Sequence, residues 1–241
     1  IMSLEKLPFS VYNCFTEMRY GGNIGAIVWN AENLSKKQMQ TIAREFKAPV
    51  TGFVLNKQKK TISARFFMPT SEISMCGHVT IGIFTELTKN LNNGKYDYIL
   101  DVPVGKMKVY VEKFSKKIQV MFDANLPKEI EVKVDLAELS KALKISKNDI
   151  ILNTPVDVID AGLKHLFINL SIKEKIQSLS PDFLSLKKLC KKNNIDTIAC
   201  FAFTNSKTLK IRDFCPSLGV NEVPASGTTN GALIGYLLKN K

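Results

Sequence analysis

No stretch of the chain approaches the about 18–20 consecutive apolar residues of a membrane-spanning helix, so the sequence predicts no helical span and no membrane partner. The opening IMSLEKLPFSVY lacks the charged, apolar and small-residue regions of a secretory signal, which points to a cytoplasmic protein. Cysteine is sparse and unpatterned: positions 14, 76, 190, 200 and 215 are an odd number, widely scattered, without a C-x-x-C pair. That spacing indicates neither a zinc site nor a disulfide framework and leaves reduced thiols. There is no phosphate loop and no Rossmann glycine pattern, so no nucleotide cofactor is indicated. Histidine is scarcer still, with two in the whole chain.

Acidic residues are in deficit, 22 against 34 basic, for a formal charge of +12. The excess is mostly lysine in short groups, KQKK (57–60), SKK (115–117) and KKLCKK (187–192), which suit solvated loops and helix faces. No nucleic-acid partner is expected from that distribution, whereas a small anionic substrate fits the charge. What is abundant is ordinary globular material: 45% hydrophobic and 23% charged residues over 241 positions. Such a chain can build a sizeable core as one domain or as two of about 120 residues.

Short runs rich in β-branched and aromatic residues predict strands at Val11 to Phe15, Gly25 to Trp29, Phe53 to Leu55 and Thr61 to Phe67. Between them, Ser35 is a candidate N-cap, followed by Met39, Ile42, Ala43 and Phe46 at helical spacing, which predicts an amphipathic helix on a sheet. Alternation resumes over Tyr96 to Val102 and Lys106 to Phe122. A polar, proline-containing segment at 123–128 is the expected linker between domains 1–122 and 129–241. Beyond it the pattern predicts helices near 135–144 and 181–192, and strands near 156–160, 165–170, 197–204 and 207–214. The order resembles the first half.

Two stretches make that resemblance specific: ARFFMPTSEISMCGHVTIGIFTEL (64–87) and IRDFCPSLGVNEVPASGTTNGALIGYL (211–237). Arg65, Phe67 and Pro69 in one match Arg212, Phe214 and Pro216 in the other. Seven to ten residues later come Cys76-Gly77-His78 and Ser226-Gly227-Thr228, each opening an apolar run. This reads as an internal duplication. A glycine ahead of a helix lets the backbone turn sharply, and the first helical N–H groups have no intrahelical partner. Two such starts, facing across a cleft, would grip one carboxylate while a side chain moves a proton.

With those motifs in hand, the chain resembles the PhzF-like (phenazine biosynthesis) family, related in fold to diaminopimelate epimerase and proline racemase. The likeness covers nearly the whole chain, through Phe15-Thr16-Glu17, Gly22-Asn23, Ile42 to Phe46, Cys76 to Thr80, Gly162 to Leu166 and Pro224 to Leu233. It implies an α+β fold of two pseudo-symmetric domains, each a β-barrel-like sheet wrapped around a central helix, with an inter-domain active site and a homodimer. It implies cofactor-independent isomerisation or epimerisation of a small carboxylate, with no metal. Carried onto this chain, His78 and Cys76 are the proton-handling candidates, and Gly77, Val79, Ser226, Gly227, Thr228 and Asn23 the substrate-binding ones. Two departures stand out: the family's glutamate falls at Val50 and an aspartate at Val223. A positioned acid or base typically contributes about 10²–10⁴ in rate, so the alternative is a degenerate member that binds a small anion without chemistry. One-base chemistry by a Cys76 thiolate or neutral His78 is the active reading, and Glu222 is a further candidate.

Overall fold

The computed structural model describes residues 6–18, 20–123, 126–171, 176–224 and 226–240. The chain divides into two compact units, Ile1–Ala124 and Asn125–Lys241. Residues 124 and 125 of the expected linker lie outside the described residues, and Lys128 already begins a strand.

Unit 1 opens with a hairpin, β1 (Phe9–Cys14) and β2 (Asn23–Val28), followed by α1 (Lys36–Phe46). Ser35 and Gln38 close a reciprocal capping box at the start of α1, satisfying two backbone donors. The helix stops where Lys47 turns left-handed, at φ 54°. This crossover sets β3 (Val50–Gln58) parallel to β2. Then come β4 (Thr61–Phe67), the two-residue β5 (Glu72–Ile73) and α2 (Gly77–Thr88). A meander of β6 (Gly94–Val102), β7 (Gly105–Phe114) and β8 (Lys117–Phe122) completes an eight-stranded sheet, ordered β1-β2-β3-β4-β6-β7-β8 with β5 on β4.

The two faces of β3 divide the unit. Phe53 joins Phe67, Met39 and Ala43 under α1, whereas Gly52 faces α2. Most of α2 is buried, including Val79, Ile83 and Phe84, because it touches strands from both ends of the sheet, β1 and β2 as well as β7 and β8. A helix with apolar contact on most sides belongs inside a curled sheet rather than on its surface.

Unit 2 contains β9 (Lys128–Ile130), α3 (Leu136–Leu143), β10 (Asp157–Asp160), β11 (Lys164–Asn169), α4 (Phe183–Asn193), β12 (Thr197–Asn205), β13 (Thr208–Phe214), β14 (Glu222–Val223) and α5 (Gly227–Lys239). Its six strands run β14-β13-β12-β11-β10-β9, and β11 and β12 are parallel across α4. Leu139, Leu186 and Leu189 form a core with the sheet on the α3–α4 side. Phe167, Phe201 and Tyr236 form another under α5. The duplicated succession is therefore β1-β2-α1-β3-β4-β5-α2 in one unit and β10-β11-α4-β12-β13-β14-α5 in the other.

Several expectations are corrected. The expected strand at Phe53–Leu55 is nine residues long, because the apolar run from Val50 is buried on both faces and reads poorly as alternation. The span 106–122 is two strands, broken by a turn at Ser115 with φ 56°. The short β5 and β14 are too brief for any periodic signal. The lysine groups KQKK and SKK sit at hairpin ends, and KKLCKK lies within α4.

Candidate active site

In unit 1 the β5–α2 connection delivers Cys76 in an extended conformation (φ −142°, ψ 113°) as the N-cap of α2, with Gly77 as first helical residue. His78 follows, 8% exposed, and its Nδ1 lies 3.3 Å from Cys76 Sγ and 3.4 Å from Asn23 Nδ2. Cys14 Sγ donates to the His78 carbonyl at 3.0 Å. Asn23 and Cys14 stand opposite each other at the ends of β2 and β1, so the hairpin supplies two groups to the helix start. Asn23 is thus brought to His78. Cys14 is missed by sequence reasoning, and only the strand register reveals it.

Burial sets the protonation of both central groups. It lowers the His78 pKa to about 4, against a smaller opposing pull from the Ile24 backbone, so the imidazole is neutral at pH 7. It raises the Cys76 thiol to about 12; the N–H groups of Val79 and His78 pull the other way, and Cys14 adds to the rise. The helix start does act on the sulfur, but desolvation outweighs it and the group is a thiol rather than the thiolate of the one-base reading. Val79 turns its side chain into the sheet, where a Cβ on Gly25 or Gly52 would meet it at 2.8 or 2.6 Å. Its contribution to the helix start is therefore its amide.

Val50 begins β3, is buried, and pairs with Gly25. Glu72 is held by Arg65 at 2.7 and 2.9 Å, which keeps its carboxyl near pKa about 2. Arg65 also stands over the Phe67 ring.

Unit 2 repeats this geometry with different chemistry. Ser226 is the N-cap of α5 at φ −139° and ψ 124°, close to the angles of Cys76. Its Oγ accepts from the Thr229 N–H at 3.2 Å and lies 3.0 Å from Thr228 Oγ1. Gly227 is exposed and Thr228 half-buried. Glu222 is bound to Arg212 at 2.7 and 2.6 Å, as Glu72 is to Arg65. That ion pair engages the carboxylate that the sequence offers as a further candidate. Arg212 Nη1 further donates to the carbonyls of Gln177 and Leu179, tying down a crossing segment. Val223 pairs with Asp213 of β13.

Among the described residues no group of three or more His, Cys, Asp or Glu is arranged to hold a metal. No helix among those residues is long and apolar enough to cross a membrane.

Residues 12–241 match the family described as phenazine biosynthesis-like protein, PhzC-PhzF. The chain belongs to this family. An uncharacterised isomerase of Escherichia coli strain K12 is 30% identical over 94% of this chain and 77% of its own length. The trans-2,3-dihydro-3-hydroxyanthranilate isomerase of Pseudomonas fluorescens is 27% identical over 96% of this chain and 80% of its own. A crystal structure of a PhzF-family phenazine biosynthesis protein from Bacillus anthracis superposes with a TM-score of 0.84, at 22% identity, over 96% of this chain and 80% of that one. PhzC-PhzF membership among relatives named isomerases makes this chain an isomerase-type enzyme with the α+β, epimerase-like fold.

Proposed function

We propose that the chain is a cofactor-independent isomerase of a small carboxylate, with His78 as the group that moves the proton. The observation that carries this reading is the neutral His78 Nδ1 beside the Cys76 thiol at the opening turn of α2. A neutral imidazole takes a proton from a carbon conjugated with the carboxylate, and the electron pair passes into the carboxylate-stabilised π system. The imidazolium returns the proton to another carbon of that system, so the product is an isomer and nothing is consumed. Amide groups at the helix start oppose the negative charge that develops meanwhile. Gly77, Val79 through its amide, Ser226, Gly227, Thr228 and Asn23 are the proposed substrate-binding groups. The named activity of the Pseudomonas relative favours a cyclic, partly unsaturated carboxylate.

The test is solvent-deuterium incorporation across a panel of cyclic and amino carboxylates. Wild-type exchange that falls at least a hundredfold in His78→Ala supports the assignment; full exchange in His78→Ala overturns it, whatever Cys76→Ala does.

A second reading, binding of a small anion without chemistry, is favoured by the buried, apolar Val50 where a carboxylate is expected. Saturable carboxylate binding with no exchange on any panel member selects it. The proposal extends to a homodimer in the cytoplasm. The five buried free cysteines suit a reducing compartment, and light scattering at micromolar concentration tests the oligomeric state.

A further inference from the structure

The two helix starts share a backbone but not a chemistry, and the strand registers show where they diverge. Phe67 of β4 and Phe214 of β13 are equivalent through the Arg-x-Phe-x-Pro repeat. Thr51 pairs with Phe67 and Ile198 with Phe214, so Val50 corresponds to Thr197. Gly25 pairs with Val50 and His165 with Thr197, so Gly25 corresponds to His165. By the same alignment Phe66 corresponds to Asp213, and Val79 to Thr229.

In unit 1 these positions are apolar: Val79 packs on Gly25 and Gly52, and Phe66 borders Gly52 as well. Unit 2 fills the same place with hydrogen-bonding groups. Thr229 Oγ1 donates to Asp213 Oδ2 at 2.5 Å and lies 3.5 Å from His165 Nδ1, and that nitrogen is 2.7 Å from Thr197 Oγ1. His165 is 0%, Thr229 2% and Asp213 5% exposed. Asp213 Oδ1 and His165 Nε2 are buried without a hydrogen-bond partner. Burial keeps the His165 imidazole below its ordinary range, against the opposing pull of Asp213, Asp196 and Asp160. The apolar version in unit 1 builds the same strand–helix junction, so the fold does not require the polar one. Under-satisfied buried polar groups in a position that tolerates apolar packing ask for a functional reason.

The contacts lead outward. From Asp213 they pass to Thr229, whose backbone N–H donates to Ser226 Oγ, and from Ser226 to the half-buried Thr228 hydroxyl. Asp213 is also the register partner of Val223. Directly opposed residues on antiparallel strands share a face, with Cβ atoms about 4.5–5.5 Å apart.

We propose that Asp213 is a positioning residue that stands in for the carboxylate absent at Val223, orienting the Ser226 and Thr228 hydroxyls through Thr229. The inference rests on the isomerase reading above, with the α5 start engaged on the substrate carboxylate.

The experiment uses the full chain and whichever panel carboxylate it exchanges. Asp213→Asn and Thr229→Val lower kcat/KM at least tenfold. Thr229→Ser, which keeps the hydroxyl, stays within threefold of wild type. Moving the carboxylate across the strand pair, in Asp213→Asn with Val223→Asp, recovers at least threefold over Asp213→Asn alone. A merely structural role predicts neither rescue. Asp213→Asn within twofold of wild type, or a double variant no better than the single, overturns the proposal. If Asp213→Asn does not fold, the Thr229→Val and Thr229→Ser pair decides alone, and equal activity in those two overturns it.

Should wild type exchange nothing, the isomerase reading has failed separately, and anthranilate titration followed by NMR of the histidine rings decides. With two histidines in the chain, His78→Gln assigns both. A saturable shift of the His165 ring that disappears in Asp213→Asn supports the coupling of Asp213 to the bound carboxylate. A wild-type His165 ring that does not respond overturns it.

Discussion

Protonating His78 requires the fold to accept a charge where 8% of the residue is exposed. Its pKa moves from 6.5 to about 4, so across that window the unfolded chain holds a proton that the folded chain does not. Stability therefore rises with pH through the window; it is complete above pH about 6.5 and falls as pH drops toward 4, with about 3 kcal/mol at stake. His165 shifts in the same direction, adding to the loss. Urea unfolding at pH 7.5 and 4.5 should show a larger loss for wild type than for His78→Gln or His165→Gln. Sterics give a second expectation at this scale. A Cβ on Gly52 would lie 2.6 Å from Val79 Cγ1 and 3.4 Å from Phe66 Cε1, and valine has little rotamer freedom with which to yield. Gly52→Ala should cost about 1–3 kcal/mol, the usual penalty of overpacking, read as a lower urea midpoint with an unchanged slope.

Individual elements are held by side chains that the local pattern does not announce. Lys113 of β7 is buried, and its Nζ donates to the carbonyls of Thr88, Lys89 and Leu91 at the C-terminal end of α2. A cation there satisfies carbonyls without helical partners and opposes the negative end of the helix. Lys113→Met keeps the stem and strands those carbonyls, so a loss of about 2–3 kcal/mol is expected, with faster amide exchange over residues 88–91. In the sequence Lys113 is one lysine among many. By contrast α1 is legible almost to the residue, because Ser35 and the Met39–Ala43–Phe46 spacing point to the same helix. The strands with clear alternation and both central helices are legible too, since they carry β-branched runs or open on a glycine, whereas β3 is legible only over Phe53–Leu55. The brief β5 and β14 are set by pairing with β4 and β13, a long-range cause that leaves no local signature.

At the scale of the whole molecule, the duplication is legible because Arg, Phe and Pro recur at matched spacing and a Gly then opens a helix in each half. Arg65 and Arg212 stand over Phe67 and Phe214 while binding Glu72 and Glu222. The candidate groups of each unit are legible only in part. Cys76 and His78 are two residues apart, whereas His165, Thr197, Asp213 and Thr229 meet only once strand register is known. Charge is a whole-molecule property that composition does reveal: +12, with lysine groups at exposed hairpin ends. Like charges repel more in the compact chain than in the expanded one, so net charge opposes folding, and salt relieves that opposition. Exposed ion pairs such as Lys95–Glu112 respond in the opposite sense, but each contributes little. The net expectation is a melting midpoint that rises between 20 and 200 mM sodium chloride. Replacing Lys57 and Lys116, both exposed near hairpin turns, by glutamate lowers the net charge by four and should raise the midpoint at 20 mM salt. The same change should do less at 200 mM, because screening has already removed part of the repulsion. A midpoint that falls with salt in wild type would mean that the ion pairs outweigh the excess charge.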